Sequence, residues 1–308
     1  MRAVVTGASG FIGGAAARAL LAAGHQVAAL ARPDSDLSAL GGQVRELRGQ
    51  LAEPQGYQAA LTDFAPDAVI HCAWDGVAGA ERGEALRQAG NFTATLGLVE
   101  AARLAGARHW IGLGSQAEYG PVDHAISEDT PTRPNTLYGA VKLAAGQAAA
   151  TASALAGMRF AWIRVFAVFG PGDTPTFLVP WLMDTLLRRQ RPSLSAGSQI
   201  WDLLHVNDAA RAILHVAERA DLDGVFVLGS GQGRPVRRIA EDIRDAIDPT
   251  LELGLGEKPM AAGAPTHLLA EIGRLVRSGW TPALSWPEGL AATLAWHRAK
   301  LSEPPCAS

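Results

Sequence analysis

The stretch that decides the fold is VVTGASGFIGG, residues 4–14. Its apolar start predicts a short strand, and Gly7, Gly10 and Gly13 follow at intervals of three residues. Glycine permits the positive φ and the close backbone approach that a tight turn requires. Residues 11–23 are rich in Ala and Leu and predict a helix, whose first N–H groups would point at an anion. A strand, a glycine turn and a helix in this order predict a dinucleotide-binding site.

The next predicted strand, Gln26–Ala31, bears on which dinucleotide binds. Sites that prefer NAD usually carry a carboxylate at the end of this strand for the ribose 2′-hydroxyl, and Ala31 occupies that place here. Arg32 follows, and a guanidinium suits the 2′-phosphate of NADP(H). A solvated arginine at a strand end is the alternative, and Asp34 lies nearby. We predict NADP(H) as the cofactor.

The first half of the chain alternates short apolar runs with helical patterns. Further strands are predicted at 44–47, 68–73, 110–114 and 160–166, and further helices at about 83–105 and 137–156. This alternation, with strands that are apolar on both faces, predicts a parallel sheet covered by helices on both sides. The fold class that we predict is α/β, a Rossmann doubly wound parallel sheet with a smaller C-terminal α/β substrate lobe.

Proline and glycine become frequent after Gly170, and a late apolar run at 225–228 predicts a strand that returns to the sheet. We therefore predict two units. Their bounds are 1–168 with 202–230 returning for the Rossmann domain that binds NADP(H), and 169–201 with 231–308 for the lobe that binds the substrate.

Composition and charge exclude several classes of function. The 308 residues carry a net charge of −3 and a pI near 6.2, which gives no electrostatic drive toward nucleic acid or an anionic membrane. The longest uncharged stretch, 143–158, is too short and too weakly apolar to span a bilayer. The chain enters a strand-like run at Ala3 without a charged leader, and we expect a cytoplasmic protein.

The cysteines and histidines predict neither a disulfide framework nor a metal site. Cys72 lies in an apolar run and Cys306 in the polar tail SEPPCAS, which we expect to be frayed. Two such thiols fit a reducing compartment. We interpret four histidines without ligand spacing as structural, at 71, 109, 205 and 215.

A second decisive stretch is TLYGAVK, residues 136–142. Asn135 or Thr136 is a plausible N-cap for the helix that follows, and on that helix Tyr138 and Lys142 share one face. A phenol has a pKa of about 10, and a nearby ammonium favours the phenolate. Taken alone, the stretch favours a core tyrosine beside a lysine that reaches the surface. The glycine turn upstream favours a catalytic pair instead.

Together these motifs resemble the extended short-chain dehydrogenases, or NAD-dependent epimerase/dehydratase family. The matching pieces stand in the family's order and cover nearly the whole chain: TGASGFIG (6–13), VIHCAW (69–74), NFTATLGLVEAA (91–102), GSQAEYG (114–120), YGAVK (138–142), RVFAVFGPGD (164–173), WDLLHVNDAA (201–210) and GWTP (279–282). The resemblance implies a Rossmann domain, a lobe that holds a nucleotide-linked sugar, and a homodimer packed through two helices per subunit. The small faces of 91–105 and 138–156 would permit that packing, although burial within one subunit explains them equally well.

The resemblance also implies roles for individual residues. Tyr138 would donate or accept the proton, Lys142 would tune it and bind the nicotinamide ribose, and Ser115 would hydrogen-bond the reacting substrate oxygen. Ser115 follows a predicted strand, where parallel sheets present active-site groups. Besides Tyr138 and Lys142, the residues assigned to cofactor binding are Gly7, Ser9, Gly10, Phe11, Ile12, Gly13, Arg32, Leu51, Cys72, Ala73, Asn91 and Val165.

The substrate side of the site departs from the family pattern. The residues assigned to it are Trp74, Ser115, Gln116, Phe166, Phe177, Trp201 and Arg274. Core packing explains Phe166 and Phe177 at least as well. An RD motif commonly supplies an arginine for the diphosphate in the family, and this chain has Trp201-Asp202 there. Because a tryptophan cannot pair with phosphate, either another cation such as Arg274 substitutes or Trp201 stacks on a base or sugar.

The residues after Ser115 argue against one reaction of the family. Members that dehydrate the sugar carry Asp and then Glu, which move the two protons, whereas this chain has Gln116 and Ala117. Alanine moves no proton and glutamine is a poor acid, so we expect no 4,6-dehydration. Glu118 comes one place later, and on a strand it should point to the other face.

The leading hypothesis is NADPH-dependent reduction of the C4 keto group of a nucleotide-linked 4-keto-6-deoxy sugar, with Tyr138 as general acid. Arg32 favours it, as does the resemblance of GSQAEYG and WD to such reductases. The alternative is a sugar-nucleotide 4-epimerase that holds NAD tightly, and Trp201 leaves open a reductase of a non-sugar carbonyl. A non-catalytic NADP(H) sensor is the alternative from another class, although such sensors typically lack the Tyr/Lys pair.

Overall fold

The computed structural model of the chain describes residues 1–260 and 265–302, so Cys306 and the predicted frayed end from 303 onward lie outside the described residues. The strands within these residues are β1 (Arg2–Thr6), β2 (Gln26–Ala31), β3 (Arg45–Arg48), β4 (Ala68–His71), β5 (His109–Ser115), β6 (Arg159–Val165), β7 (Ala167–Phe169), β8 (Ile200–His205), β9 (Gly224–Leu228), β10 (Gly233–Pro235) and β11 (His267–Leu268). The α-helices are α1 (Phe11–Ala22), α2 (Gln58–Phe64), α3 (Ala85–Leu104), α4 (Leu137–Leu155), α5 (Leu178–Leu187), α6 (Val206–Glu218), α7 (Val236–Ile247), α8 (Gly273–Arg277) and α9 (Trp286–Ser302).

Seven strands form one parallel sheet in the order β3-β2-β1-β4-β5-β6-β9. Every residue of β4 and β5 is buried, which explains why these strands are continuous apolar runs rather than alternating ones. The strand order changes direction between β1 and β4. In such sheets this change opens a crevice at the carboxyl ends of the strands, where ligands bind.

Helices cover both faces of this sheet. Helices α1 and α6 pack on the face that carries Val5 and Ile111, whereas α2, α3 and α4 pack on the face that carries Val4 and Trp110. The Ala-rich sides of α3 and α4 are thus buried in part within the subunit. The arrangement confirms the predicted Rossmann doubly wound sheet.

The smaller lobe has its own core and its own sheet. Helices α5, α7 and α9 pack around a separate apolar cluster that includes Met183, Ile243 and Leu290. The small sheet has the order β10-β8-β11, and β7 also pairs with β8. This lobe confirms the second part of the predicted fold class. The exact division into 1–168 and 169–201, with the returning segments, stays a proposal because β8 crosses the expected bound at residue 201.

Several element ends differ from the predicted ones. Strand β4 ends at His71 rather than at 73, because the Ala73 N–H turns to donate to the Thr6 hydroxyl (3.1 Å). Helix α3 begins at Ala85 rather than at about 83, because Gly79–Gly83 form a 3₁₀ helix. Strand β5 extends to Ser115 and thereby carries this residue to the edge of the sheet.

Candidate active site

The glycine turn between β1 and α1 leaves room for an anion. Gly7 has a φ of +69°, and a Cβ there would lie 2.8 Å from the backbone nitrogen of Ala73. A Cβ on Gly13 would lie 2.3 Å from the Gly7 carbonyl oxygen, so the first turn of the helix needs glycine at this position to pack this closely. Gly10 is the N-cap of α1 and offers no side-chain acceptor to the first N–H groups of the helix. Those N–H groups are available to a phosphate, and the turn therefore fits a dinucleotide.

The end of β2 presents a guanidinium to solvent. The Arg32 side chain is 66% exposed, and its ion pair with Asp34 is long at 3.9 Å. The loop that carries it is held by Arg48, whose Nη1 donates to the carbonyl oxygens of Arg32 (2.9 Å) and Ser35 (2.8 Å). Sequence reasoning missed this role of Arg48. Arg48 lies beside Ala31 in the neighbouring strand, so a prediction that β2 pairs with β3 would have placed it next to this loop.

Tyr138 and Ser115 meet where α4 begins and β5 ends. The N-cap of α4 is Thr136, whose hydroxyl accepts a hydrogen bond from the Gly139 N–H (3.1 Å), and not Asn135. This cap fixes Tyr138 in the first turn, where it is 8% exposed. Burial raises the pKa of Tyr138, while the Ser115 hydroxyl lowers it. A buried phenol beside a hydroxyl can pass a proton to or from a substrate oxygen.

Lys142 shares the helix face of Tyr138, yet its ammonium is directed elsewhere. The Lys142 Nζ donates to the carbonyl oxygen of Leu113 (2.7 Å) and lies 3.7 Å from the centre of the Trp74 ring. Burial lowers the pKa of Lys142 to about 7, partly offset by the attraction of Glu118. Arg82 instead faces the phenol ring, and its guanidinium carbon lies 4.3 Å from the centre of that ring.

The loop after β4 is held in place by two polar side chains of α3. Trp74 packs edge-on against Tyr138 and donates through its indole N–H to the buried Gln88 (2.9 Å). Asn91 accepts from the Asp75 N–H and donates to the Asp75 carbonyl oxygen, both at 2.8 Å. Asn91 thus orders the loop beside the site, and its predicted contact with the cofactor stays a prediction. Sequence reasoning missed Gln88, whose polar side chain on a buried helix face was the available signal.

Glu118 is buried and fully engaged. It forms an ion pair with Arg164 (2.7 Å) and accepts from the Trp162 indole N–H (3.0 Å) and from the Ser115 N–H (2.8 Å). The prediction that strand geometry turns Glu118 to the other face was wrong, because β5 ends at Ser115 and a 3₁₀ turn, Gln116–Glu118, begins there. A carboxylate bound by three donors is a structural group. Gln116 and Ala117 therefore remain the residues at the positions where a dehydratase of the family carries its acid and base.

The structure does not bring Arg274 to this site. Its guanidinium donates to the carbonyl oxygens of Val225 (2.5 Å) and Asp223 (2.6 Å) and lies over the Phe226 ring. These groups surround the start of β9, whereas the glycine turn, Ser115 and Tyr138 lie at the carboxyl edge of the same parallel sheet. The prediction that Arg274 replaces the arginine of the RD motif is therefore wrong.

Trp201 and Asp202 have packing and backbone roles. Trp201 packs between the core of the smaller lobe and the cluster around Phe166, which favours core packing for both aromatic residues. The Asp202 carboxylate is buried and accepts from the N–H groups of Ser230 (2.6 Å), Gly231 (2.9 Å) and Ala270 (3.1 Å). Asp202 therefore orders the backbone where three segments meet.

The remaining predicted residues divide into two groups. Around the glycine turn and the end of β5 the structure gathers Gly7, Ser9, Gly10, Phe11, Ile12, Gly13, Cys72, Ala73, Trp74, Ser115, Gln116, Tyr138, Lys142 and Val165. Leu51 packs against the core beneath α2 and α3. Phe177 is the N-cap residue of α5 and is 38% exposed, so it lines no buried surface in this structure.

Two kinds of feature are absent from the described residues. No helix among residues 1–260 and 265–302 is both long and apolar enough to cross a bilayer. Within the same part of the chain, no three His, Cys, Asp or Glu side chains cluster in a way that could hold a metal ion.

The fold and the site define a short-chain dehydrogenase-like α/β enzyme. Residues 3–229 match the NAD dependent epimerase/dehydratase family, and the chain belongs to that family. It is 26% identical to the UDP-glucose 4-epimerase of Corynebacterium glutamicum, over 92% of this chain and 91% of that one. It is 28% identical to the dTDP-glucose 4,6-dehydratase of Streptomyces griseus, over 96% of this chain and 93% of that one. The structure of MoeE5 in complex with UDP-glucose and NAD superposes with a TM-score of 0.86 and 28% identity, over 98% of this chain and 100% of that one.

Proposed function

We propose that this protein is a sugar-nucleotide 4-epimerase that works with a retained nicotinamide dinucleotide. The observation that carries the proposal is the meeting of Ser115 and Tyr138 beside the glycine turn, with Gln116 and Ala117 where dehydration would need an acid and a base. The site can therefore move the proton of one hydroxyl, and it lacks the groups that remove water.

The chain has residues suited to hold the dinucleotide. Its pyrophosphate would rest on the free N–H groups at the start of α1, between Gly7 and Gly13. Lys142 and Val165, the latter beside Ser115 in the neighbouring strand, would hold its nicotinamide end. When bound, the dinucleotide supplies the acceptor and donor of hydride at C4 of the sugar.

The protein's own part of the reaction is the movement of one proton. Tyr138 as phenolate takes the proton of the C4 hydroxyl when that carbon is oxidised to the ketone, and Ser115 donates a hydrogen bond to the same oxygen. After the keto sugar has turned its other face to the cofactor and been reduced, Tyr138 returns the proton to the C4 oxygen. No net proton or reductant is consumed.

The relatives support a uridine diphosphate hexose as substrate. The relative from Corynebacterium is a UDP-glucose 4-epimerase that is matched over nearly its whole length, and MoeE5 was solved with UDP-glucose and NAD. The Streptomyces relative is a dehydratase, and Gln116 with Ala117 argues against that reaction in this chain. We propose UDP-glucose and UDP-galactose as the first pair to test.

The second candidate is the NADPH-dependent 4-keto-6-deoxy sugar reductase. It is favoured by Arg32, whose exposed guanidinium stands at the end of β2 where Ala31 offers no carboxylate to a ribose 2′-hydroxyl. A reductase would use the same Tyr138 as general acid, and it would consume one NADPH for each sugar. A homodimer through α3 and α4 also remains a proposal, because the buried faces of both helices are explained within one subunit.

The experiment that tests the proposal supplies purified protein with UDP-glucose and no added cofactor. Proton NMR follows the appearance of UDP-galactose. We expect an equilibrium mixture that forms without consumption of nicotinamide. No epimer with UDP-glucose, together with stoichiometric NADPH oxidation on a dTDP-linked 4-keto-6-deoxyhexose, would overturn the epimerase and establish the reductase.

A further inference from the structure

An arginine outside the family motifs lies on the face of the Tyr138 ring. Arg82 belongs to the 3₁₀ helix Gly79–Gly83, and its guanidinium carbon is 4.3 Å from the ring centre. Its Nε is buried and has no hydrogen-bond partner in the part of the chain that the structure describes. No ion pair of Arg82 occurs among the described residues. The Tyr138 ring is therefore the contact that the structure shows for this half-buried guanidinium.

A second arginine nearby has ordinary surface partners. Arg87 forms ion pairs with Asp75 (3.3 Å), Glu81 (3.0 Å) and Glu84 (3.0 Å). These carboxylates flank Arg82 in the sequence, yet within the described residues their ion pairs are with Arg87. Within the described part of the chain, no carboxylate therefore forms an ion pair with Arg82 where its guanidinium faces the phenol.

The other polar groups around Tyr138 do not supply a comparable positive charge. Ser115, at the end of β5, offers a neutral hydroxyl, and Glu118, on the turn after it, carries a negative charge already paired with Arg164. On α4 itself, Lys142 is directed to the Leu113 carbonyl oxygen, and burial lowers the pKa of its ammonium to about 7.

Cys72, after β4, also stays neutral, because burial raises the pKa of its thiol to about 12. Among residues 1–260 and 265–302, Arg82 is therefore the side-chain cation found on the face of the Tyr138 ring.

We propose that Arg82 is a positioning residue that stabilises the phenolate form of Tyr138 by stacking its guanidinium on the phenol ring. The negative charge of a phenolate spreads over the ring, so a cation on its face attracts it, and burial strengthens that attraction. The direction agrees with the lowering of the Tyr138 pKa that the Arg82 charge causes, against the larger effect of burial. The inference deepens the proposed function, since it names what prepares the phenol to accept the first proton.

The test measures the ionisation of Tyr138 directly and needs no substrate. The chain has three tyrosines, so protein labelled with ¹³C at the tyrosine ζ carbon gives three NMR signals, and Tyr138→Phe identifies the one to follow. The pH titration is repeated for Arg82→Gln, which removes the charge, for Arg82→Lys, which keeps it, and for Arg87→Gln as the matched control on the same segment. Circular dichroism at each pH restricts the comparison to folded protein.

We expect Arg82→Gln to raise the pKa of Tyr138 by about one unit, Arg82→Lys to raise it less, and Arg87→Gln to leave it unchanged. The proposal is overturned if the pKa of Tyr138 in the wild type is not lower than in Arg82→Gln. It is also overturned if Tyr138 ionises in neither protein before the protein unfolds. If the shift occurs and no nucleotide sugar is turned over, the proposed function fails and this inference stands. If the protein epimerises the sugar but the pKa of Tyr138 is unchanged in Arg82→Gln, this inference fails and the proposed function stands.

In an active enzyme, the acidic limb of the pH profile of kcat/KM should move to higher pH in Arg82→Gln.

Discussion

The Lys142 ammonium donates a hydrogen bond of 2.7 Å to the carbonyl oxygen of Leu113 in the interior of the protein. Burial lowers the pKa of this lysine from its ordinary 10.5 to about 7. An ammonium that is held so deeply and bound to a single backbone oxygen pays a penalty in stability for its position. This relationship gives the first prediction, which concerns the folded state rather than catalysis.

Lys142→Met should change how stability depends on pH. Above about pH 7 the folded protein releases the Lys142 proton, whereas the unfolded chain keeps it up to about pH 10. The Lys142 contribution to the free energy of unfolding therefore rises with pH across this window, by at most about 1.4 kcal/mol per unit. Urea denaturation of wild type and Lys142→Met between pH 6 and pH 10 measures it. Lys300→Met, at the exposed end of α9, is the control, and a flat difference between wild type and Lys142→Met would refute the prediction.

Glu118→Gln should destabilise the protein, because it leaves the buried Arg164 guanidinium without its counter-charge. Loss of one partner of a buried ion pair costs about 3 kcal/mol or more. Glu100→Gln, in an exposed pair with Arg103, should change the unfolding free energy far less, because solvent screens that pair. Denaturant titration gives both values. Equal stability of the two variants would show that Glu118 has no such structural role.

Gly13→Ala should weaken dinucleotide binding by at least about 10-fold, which is about 1.4 kcal/mol. The added Cβ would lie 2.3 Å from the Gly7 carbonyl oxygen, so the phosphate-binding turn would have to shift. Gly90→Ala is the matched control, because a Cβ there meets nothing within 4 Å. Calorimetric titration with NAD and NADP measures the affinities. Unchanged binding in Gly13→Ala would mean that the turn is not the dinucleotide site.

Arg32→Ala should lower the affinity for NADP(H) by about 10-fold and leave that for NAD(H) unchanged, because only the former carries a 2′-phosphate for the guanidinium. Arg45→Ala is the control, because Arg45 lies on β3 of the same sheet and its side chain pairs with Asp63 of α2. Fluorescence titration with both reduced dinucleotides gives the comparison. Clearly tighter NAD(H) binding by the wild type would reject the NADP(H) prediction and leave Arg32 as a solvated residue.

The sequence predicts those parts of the site that depend on local geometry. The spacing of Gly7, Gly10 and Gly13 is a constraint on one turn, and the spacing of Tyr138 and Lys142 is a constraint on one helix face. Both follow from backbone periodicity, so neither needs knowledge of the rest of the fold. The parallel sheet is predictable for the same reason, since strands buried on both faces must be continuous apolar runs.

The remaining features depend on how distant segments meet. Arg82 contacts Tyr138 because of a 3₁₀ helix that has no marked sequence pattern. Gln88 of α3 accepts a hydrogen bond from Trp74, which lies in the loop after β4. Arg274 fails as a phosphate ligand because α8 lies against the start of β9, and nothing in its local sequence gives that position. Glu118 differs from its prediction because one residue decides whether a strand continues or a 3₁₀ turn begins.

The most direct test of the account is the interconversion of UDP-glucose and UDP-galactose by wild type, Tyr138→Phe and Ser115→Ala, followed by proton NMR with the amount of bound dinucleotide measured in each sample. The account predicts that Tyr138→Phe retains its dinucleotide and loses activity by about 10²-fold or more, and that Ser115→Ala loses less. Tyr138→Phe with the rate of the wild type and the same dinucleotide content would contradict it.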